Sequence, residues 1–269
     1  MPVDLTPEIE ALIQPYTGKS KTIRPTSSRG YSSDITTLIE GEAGSFFIKA
    51  MRNQPGGGRD SLMREKAINP FVRSVSPPLL WTAENGEWII LGFQTLDCRS
   101  SSFAPGSSDL PTVVDLLNRV AGLSLPEVAR GWVETRWDRF APEEEGKLFR
   151  GDVLLHTDIN GNNLVLGKQG SWIVDWAWPS RGAAFIDPAT LVVQLVAAGH
   201  SPEAAESWAT GCKAWVNADP QAIDAFAAAQ VRMYWQFAFR RPEETWLRAV
   251  AEAAEAWANH RGVTVMPIR

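Results

Sequence analysis

The spacing of apolar residues changes partway along the chain and divides it into two parts. In the first part apolar positions alternate or form short blocks. DITTLIE (34–40) and SFFIKA (45–50) read as strands joined by the turn EGEAGS, and LLWTAENGEWIILGF (79–93) reads as a hairpin turning at Asn85-Gly86. Thr6-Pro7-Glu8 predicts the start of a short helix with Ile9, Leu12 and Ile13 as its apolar stripe. PTSSRGYSSD (25–34) is a Ser/Gly loop and NQPGGGRD (53–60) a flexible link. Asp60 or Ser61 is then expected to cap a helix, SLMREKAI, that stops near Asn69-Pro70. FQTLDCRSSSFAPGSSDLP (93–111) reads as a linker. Beyond it helical spacing dominates, over 112–123, 187–199, 202–216, 221–239 and 242–258. The expected architecture is α+β: a β-rich N-terminal lobe over 1–93, a hinge over 94–111 and a mainly helical C-terminal lobe over 112–269.

Composition narrows the function. The chain has 269 residues, a net charge of −5 and a pI near 5.4. Nucleic-acid binding leans on basic surface, so no nucleic-acid partner is expected. No apolar run approaches the roughly 20 residues of a membrane span, and the N-terminus lacks a basic-then-apolar leader pattern. No membrane partner and a cytoplasmic location are the expectation, with a monomer or weak dimer. Cys98 and Cys212 are too few for a disulfide framework and wrongly spaced for zinc. Trp208 and Trp215 are seven apart, and Trp235, Trp246 and Trp257 step by eleven, spacings that return to one helical face and predict core packing. The acids of the helical part are interspersed with Arg and Lys and form no cluster suited to a polycation.

The segment LLHTDINGNNLVLGKQGSWIVDWAWP (154–179) places acids and amides among residues that favour burial. NLVL (163–166) and SWIVD (171–175) read as strands joined through GKQG. Asn163 and Asp175 would then lie at the open end of a hairpin, beside the loop holding His156 and Asp158. Close carboxylates repel unless a cation or proton sits between them. Hard oxygen ligands from Asp and Asn suit Mg²⁺ carrying phosphates. Asn163 and Asp175 are therefore expected to hold Mg²⁺ against a nucleotide, and Asp158 to accept the proton of a hydroxyl attacking the γ-phosphorus. A lone His without a second His or Cys nearby argues against zinc.

His156-Thr157-Asp158 with Asn163 five positions after the acid matches an H-x-D-x-x-x-x-N catalytic loop, and Asp175-Trp176 stands where a metal-binding acid followed by an aromatic would be. On these residues the chain resembles the aminoglycoside phosphotransferase family, the small-molecule branch of the protein-kinase-like fold, from about Thr22 to about Ala258. The resemblance implies a bilobal fold with ATP or GTP and Mg²⁺ as cofactors and a small-molecule hydroxyl acceptor. It implies that Lys49 contacts the α- and β-phosphates and that Glu65 holds Lys49. Serines of the 25–34 loop, Ser28 among them, would contact phosphate, and backbone groups at Phe93 and Thr95 would receive the base. His156 would brace the loop. Asp187-Pro188 resembles a structural acid of that branch, although capping the helix from Pro188 suffices to explain it. No activation segment follows Asp175-Trp176-Ala177, so protein kinase activity is not expected. The implied function is phosphoryl transfer to an aminoglycoside or other antibiotic. The alternatives are a metabolic kinase of choline, homoserine or thioribose type, an inactive nucleotide-binding module, or a metal-dependent hydrolase.

Overall fold

The computed structural model describes residues 5–25 and 33–265, and the site expected at Ser28 lies outside them. The chain divides into two compact units, Met1–Arg99 with Leu166–Trp178, and Ser100–Val165 with Pro179–Arg269. The division expected from sequence is contiguous, whereas the units are not: the second half of the 164–173 hairpin belongs with the N-terminal residues.

In the first unit, β1 (Ser20–Pro25), β2 (Ile35–Gly41), β3 (Gly44–Arg52), β4 (Leu79–Glu84) and β5 (Trp88–Gln94) form an antiparallel sheet ordered β1-β2-β3-β5-β4. Two helices belong to this unit, α1 (Pro7–Thr17) and α2 (Gly57–Val72). Alternation along β3 sorts its side chains between two clusters. Phe46, Ile48 and Ala50 pack with Ile9 and Ile13 of α1, which are fully buried. Met51 and Phe47 pack instead with Leu62 of α2 and with Leu91 and Phe93 of β5. Burying each of the two α1 isoleucines contributes on the order of 2 kcal/mol.

Two expectations for this unit are corrected. No strand was expected over 20–25, where β1 pairs with β2. The helix expected to begin at Asp60 or Ser61 begins four residues earlier: its N-cap is Gly56, with no side-chain cap, and Pro70 lies inside it. The last turn tolerates proline because Ile68 and Val72 are fully buried, while the amide of Asn69 donates to the Pro77 carbonyl at 2.9 Å and accepts from the Leu79 N–H at 2.7 Å.

β6 (Cys98–Ser100), β8 (Leu164–Gly167) and β9 (Gly170–Ile173) form a sheet in that order, within which the chain passes from one unit to the other. The second unit carries α3 (Leu110–Ala121), α4 (Glu143–Lys147), β7 (Val153–Leu155), β10 (Ser180–Gly182), α5 (Ile186–Ala197), α6 (Pro202–Ala209), α7 (Lys213–Val216), α8 (Pro220–Arg240) and α9 (Thr245–His260). Its core centres on Phe226 of α8, whose ring lies 4.8 Å from that of Trp137, 5.5 Å from Phe149 and 5.7 Å from Phe185. The single helix expected over 202–216 is two, broken at Gly211. A Cβ there would approach Val114 to 2.8 Å, and Asn118 bonds both Gly211 O and Lys213 N–H at 2.9 Å. The tryptophan spacing is only partly a core signal: Trp257 and Trp215 are buried, Trp208 and Trp235 are half-buried, and Trp246 is 45% exposed. No helix among the described residues is long and apolar enough to cross a membrane.

Candidate active site

Two periodicities meet at Lys49. On β3 it shares a face with Phe47 and Met51, the face that packs against α2. On α2, Glu65 stands three residues after Leu62, on the stripe that faces the sheet. The Lys49 ammonium donates to both Glu65 carboxylate oxygens at 2.8 Å. It also donates to Asp175 Oδ1 at 2.6 Å. Lys49 and Glu65 are 6% and 5% exposed, so this is a buried ion pair rather than the mobile surface contact typical of lysine. Burial alone would push Lys49 down, but Glu65 and Asp175 outweigh it and hold the ammonium above its ordinary range. Glu65 also accepts the backbone N–H of Trp176. One cation thus faces two anions, leaving a net negative charge that a further cation would offset.

Asp175 lies two residues beyond β9 and takes a left-handed backbone, φ 64°. The fully buried indole of Trp176 anchors the turn, its N–H donating to the Ile173 carbonyl at 3.3 Å. The aromatic after the acid therefore serves as packing that fixes the backbone of Asp175. Only one other non-glycine among the described residues has positive φ: Thr157, at 71°. That conformation is strained for a β-branched residue.

Asp187 imposes it. This buried carboxylate accepts the N–H of His156 at 2.9 Å and that of Thr157 at 2.8 Å. The reading of Asp187 as a helix cap is corrected: α5 begins one residue earlier, after Phe185, and Asp187 spends its acceptors on the loop thirty residues upstream. Burial pushes the Asp187 carboxyl up against the pull of those two N–H groups. His156 is buried beneath the loop, and the Asp158 N–H donates to its Nδ1 at 3.3 Å.

The loop then closes on itself. Asn160 Oδ1 accepts the N–H groups of Asn162 and Asn163 at 3.0 and 3.2 Å. Asp158 is exposed, and its carboxylate accepts Asn160 Nδ2 at 3.0 Å and Asn163 Nδ2 at 2.8 Å. With its amide nitrogen on Asp158, Asn163 keeps its carbonyl oxygen outside these bonds, a hard donor of the kind Mg²⁺ takes. Gly161 is required because a Cβ would meet the Ser101 carbonyl at 2.6 Å, and the Ser101 N–H in turn donates to the carbonyls of Gly161 and Leu164.

Of the residues expected from sequence, Lys49, Glu65 and Asp175 are bonded together within one unit, and Asp158 and Asn163 within the other. Phe93 is a buried residue of β5, in register with Phe47 on β3 and Leu79 on β4. Thr95 follows the end of β5 and is half-buried. Asp187 was undervalued because its partners are backbone groups, which leave no trace in residue type. Arg136 leaves no signal in the sequence pattern either. The Arg136 side chain pairs with buried Glu134 (Nε to Oε1, 3.0 Å) and reaches Ser180 Oγ at 3.2 Å, beside the strand pair β7–β10 that feeds the loop.

No family model matches the chain, and no curated protein matches it. Solved structures do. The choline kinase LicA from Streptococcus pneumoniae is 11% identical, with 94% of this chain and 98% of that one covered and a TM-score of 0.65. The spectinomycin phosphotransferase APH(9)-Ia, solved with ADP and spectinomycin, is 13% identical over 94% and 98%, with a TM-score of 0.64. The macrolide 2′-phosphotransferase MphH from Brachybacterium faecium is 14% identical over 92% and 97%, with a TM-score of 0.56. The chain therefore has the α+β kinase-like fold that these phosphotransferases share, with a β-sheet part and a helical part.

Proposed function

We propose that the chain is a nucleotide-dependent small-molecule O-phosphotransferase, which moves the γ-phosphate of ATP or GTP to a hydroxyl of a small acceptor. One observation carries this reading: a single buried lysine nitrogen is bonded both to the helix acid Glu65 and to Asp175. A buried ammonium held by two acids is positioned to bind polyphosphate, and positioning with charge neutralisation is most of what phosphoryl transfer asks of a protein. Residues 1–93 form the nucleotide-binding lobe and 94–111 the hinge. Lys49 binds the α- and β-phosphates, serines of the 25–34 segment, Ser28 among them, contact phosphate, and the backbone at Phe93 and Thr95 receives the base. Asp175 and Asn163 supply one carboxylate and one amide oxygen, a donor set that fits Mg²⁺, whose part is to neutralise phosphate charge. Asp158, oriented by Asn160 and Asn163, takes the proton of the acceptor hydroxyl while its oxygen bonds to the γ-phosphorus and the bond to the departing nucleoside diphosphate breaks. Solved structures of the same fold named for choline, spectinomycin and macrolides support a hydroxyl-bearing small molecule as acceptor, with antibiotic inactivation as the role.

The test is Mg²⁺-dependent nucleotide consumption over a panel of hydroxylated compounds, with phosphate followed onto the acceptor. Asp158→Ala is expected to lower turnover by about 10²- to 10⁴-fold. Phosphate release that needs no acceptor would indicate a hydrolase. Nucleotide binding without consumption would indicate a module without turnover. Either result sinks the reading.

A further inference from the structure

The proposed chemistry leaves the second tryptophan of Asp175-Trp176-Ala177-Trp178 without a role. Trp176 is buried and anchors the turn, whereas Trp178 is 41% exposed. The Trp178 ring lies against the first half of α2. The Arg64 guanidinium stands 5.5 Å from the ring centroid, within cation–π range. Gly57 borders the same ring, at a spacing where a Cβ would make ordinary contact at 3.8 Å.

This end of α2 is the weak one. The helix starts on Gly56-Gly57-Gly58, the poorest helix formers after proline, and no side chain caps it. Gly58 is required, because a Cβ there would come within 2.8 Å of Met51 Sδ on β3. Arg59 bonds Asn53, which belongs to the glycine-rich link rather than to the sheet. The other end is fixed by buried Ile68 and Val72 and by the two bonds of the Asn69 amide. Glu65 stands between the weak start and the fixed end.

The segment after β9 grips α2 twice. The Trp176 N–H donates to Glu65, and Trp178 stacks on Arg64. Neighbouring residues on a helix point about 100° apart, so the two contacts oppose rotation of α2 as well as withdrawal. If α2 withdrew, the Lys49 nitrogen would keep a single acid, Asp175, at 2.6 Å. That is the acid proposed for Mg²⁺, so the ammonium and the metal would then compete for one carboxylate.

We propose that Trp178 is a positioning residue: stacked on Arg64 beside Gly57, it holds α2 where Glu65 meets Lys49 and thereby strengthens binding of the nucleoside triphosphate. The effect on nucleotide rests on the phosphotransferase reading, while the hold on α2 stands apart from it.

The experiment has two readouts on the full chain. Amide hydrogen exchange is compared between the native chain and Trp178→Ala without ligand. Exchange over residues 60–66 is expected to speed up about tenfold, with α1 and α8 unchanged. Trp178→Phe, which keeps a flat face over Arg64, is expected to restore most of the protection, and Arg64→Met to lose part of it. Calorimetric titration with Mg²⁺ and AMP-PNP or GMP-PNP gives the second readout. Trp178→Ala is expected to raise the Kd of the analogue that binds the native chain about tenfold. In the Glu65→Gln background the same change is expected to raise it less than twofold, because both act through one nitrogen. A merely structural tryptophan would loosen the unit as a whole, and its losses would add to those of Glu65→Gln. Native exchange over 60–66 in both Trp178→Ala and Arg64→Met overturns the proposal, as does a native Kd in Trp178→Ala or full additivity with Glu65→Gln. If neither analogue binds the native chain, the phosphotransferase reading fails, and the exchange rates still decide whether Trp178 holds α2.

Discussion

Replacing Lys49 by Met removes the cation that holds Glu65 and Asp175 together. Both carboxylates are bonded to one nitrogen, at 2.8 and 2.6 Å, so their bonded oxygens are at most about 5 Å apart. With an effective dielectric of about 20, two like charges at that separation repel by roughly 3 kcal/mol. The Glu65 carboxylate also stays buried without its partner, so the whole loss is expected at about 3–5 kcal/mol, as for other broken buried pairs. Protonating Glu65 relieves both costs. Burial already favours that proton, and in the native chain Lys49 opposes it. Burial already holds the Glu65 pKa above its ordinary value in the native chain, and in the variant, without Lys49, it lies further above the unfolded value. The folded state then binds more protons than the unfolded state, and stability falls as pH rises. Urea unfolding of Lys49→Met at pH 5.5 and pH 8 is the assay, with the midpoint read at unchanged slope. The deficit relative to the native chain is expected to be larger at pH 8. Adding Glu65→Leu is expected to restore most of the stability and none of the transfer activity. A variant that matches the native midpoint at both pH values, or a double variant no more stable than the single one, would refute the reasoning, because Lys49 would then not be a buried counter-ion.

Two further outcomes follow from the bonds described. Asp187→Ala strips two buried backbone N–H groups of their acceptor, at His156 and Thr157, and is expected to cost about 3 kcal/mol and most of the activity although Asp158 is untouched. Asp187→Asn, which keeps one acceptor oxygen, is expected to lose about half as much, and chemical denaturation beside kcat checks both. For Glu134, burial pushes the carboxyl up, but Arg136 and Ser180 outweigh it and hold the pKa below its ordinary range. Its contribution is therefore present above the unfolded value near 4.5 and is lost as pH falls through the folded one. Glu134→Gln is expected to cost about 1–2 kcal/mol at pH 7, and this difference from the native chain is expected to shrink below pH 4.5 in acid-unfolding curves.

Much of the architecture is set by local periods, which the backbone imposes within a few residues. Alternation marks β2, β3 and the β4–β5 hairpin, and helical spacing marks α5, α8 and α9. The catalytic-loop pattern is local too: Asp158 and Asn163 are five residues apart, and their side chains meet across the turn made by Asn160. The sequence alone therefore sufficed for the α+β layout and for the spacing of Asp158, Asn163 and Asp175.

The tertiary structure decided what depends on packing between segments far apart in the chain. Glu65 is indistinguishable by residue type from any acid on a mixed-charge helix. Only the docking of α2 on the Lys49 face of β3 makes it a buried partner rather than a solvated one. The break at Gly211 and the pairing of β1 are likewise products of close approach, which local spacing does not encode. The left-handed backbones of Thr157 and Asp175 belong here as well. An isolated segment would relax away from that strain, and it persists because Asp187, thirty residues from Thr157, and the burial of Trp176, the neighbour of Asp175, hold the two residues in place.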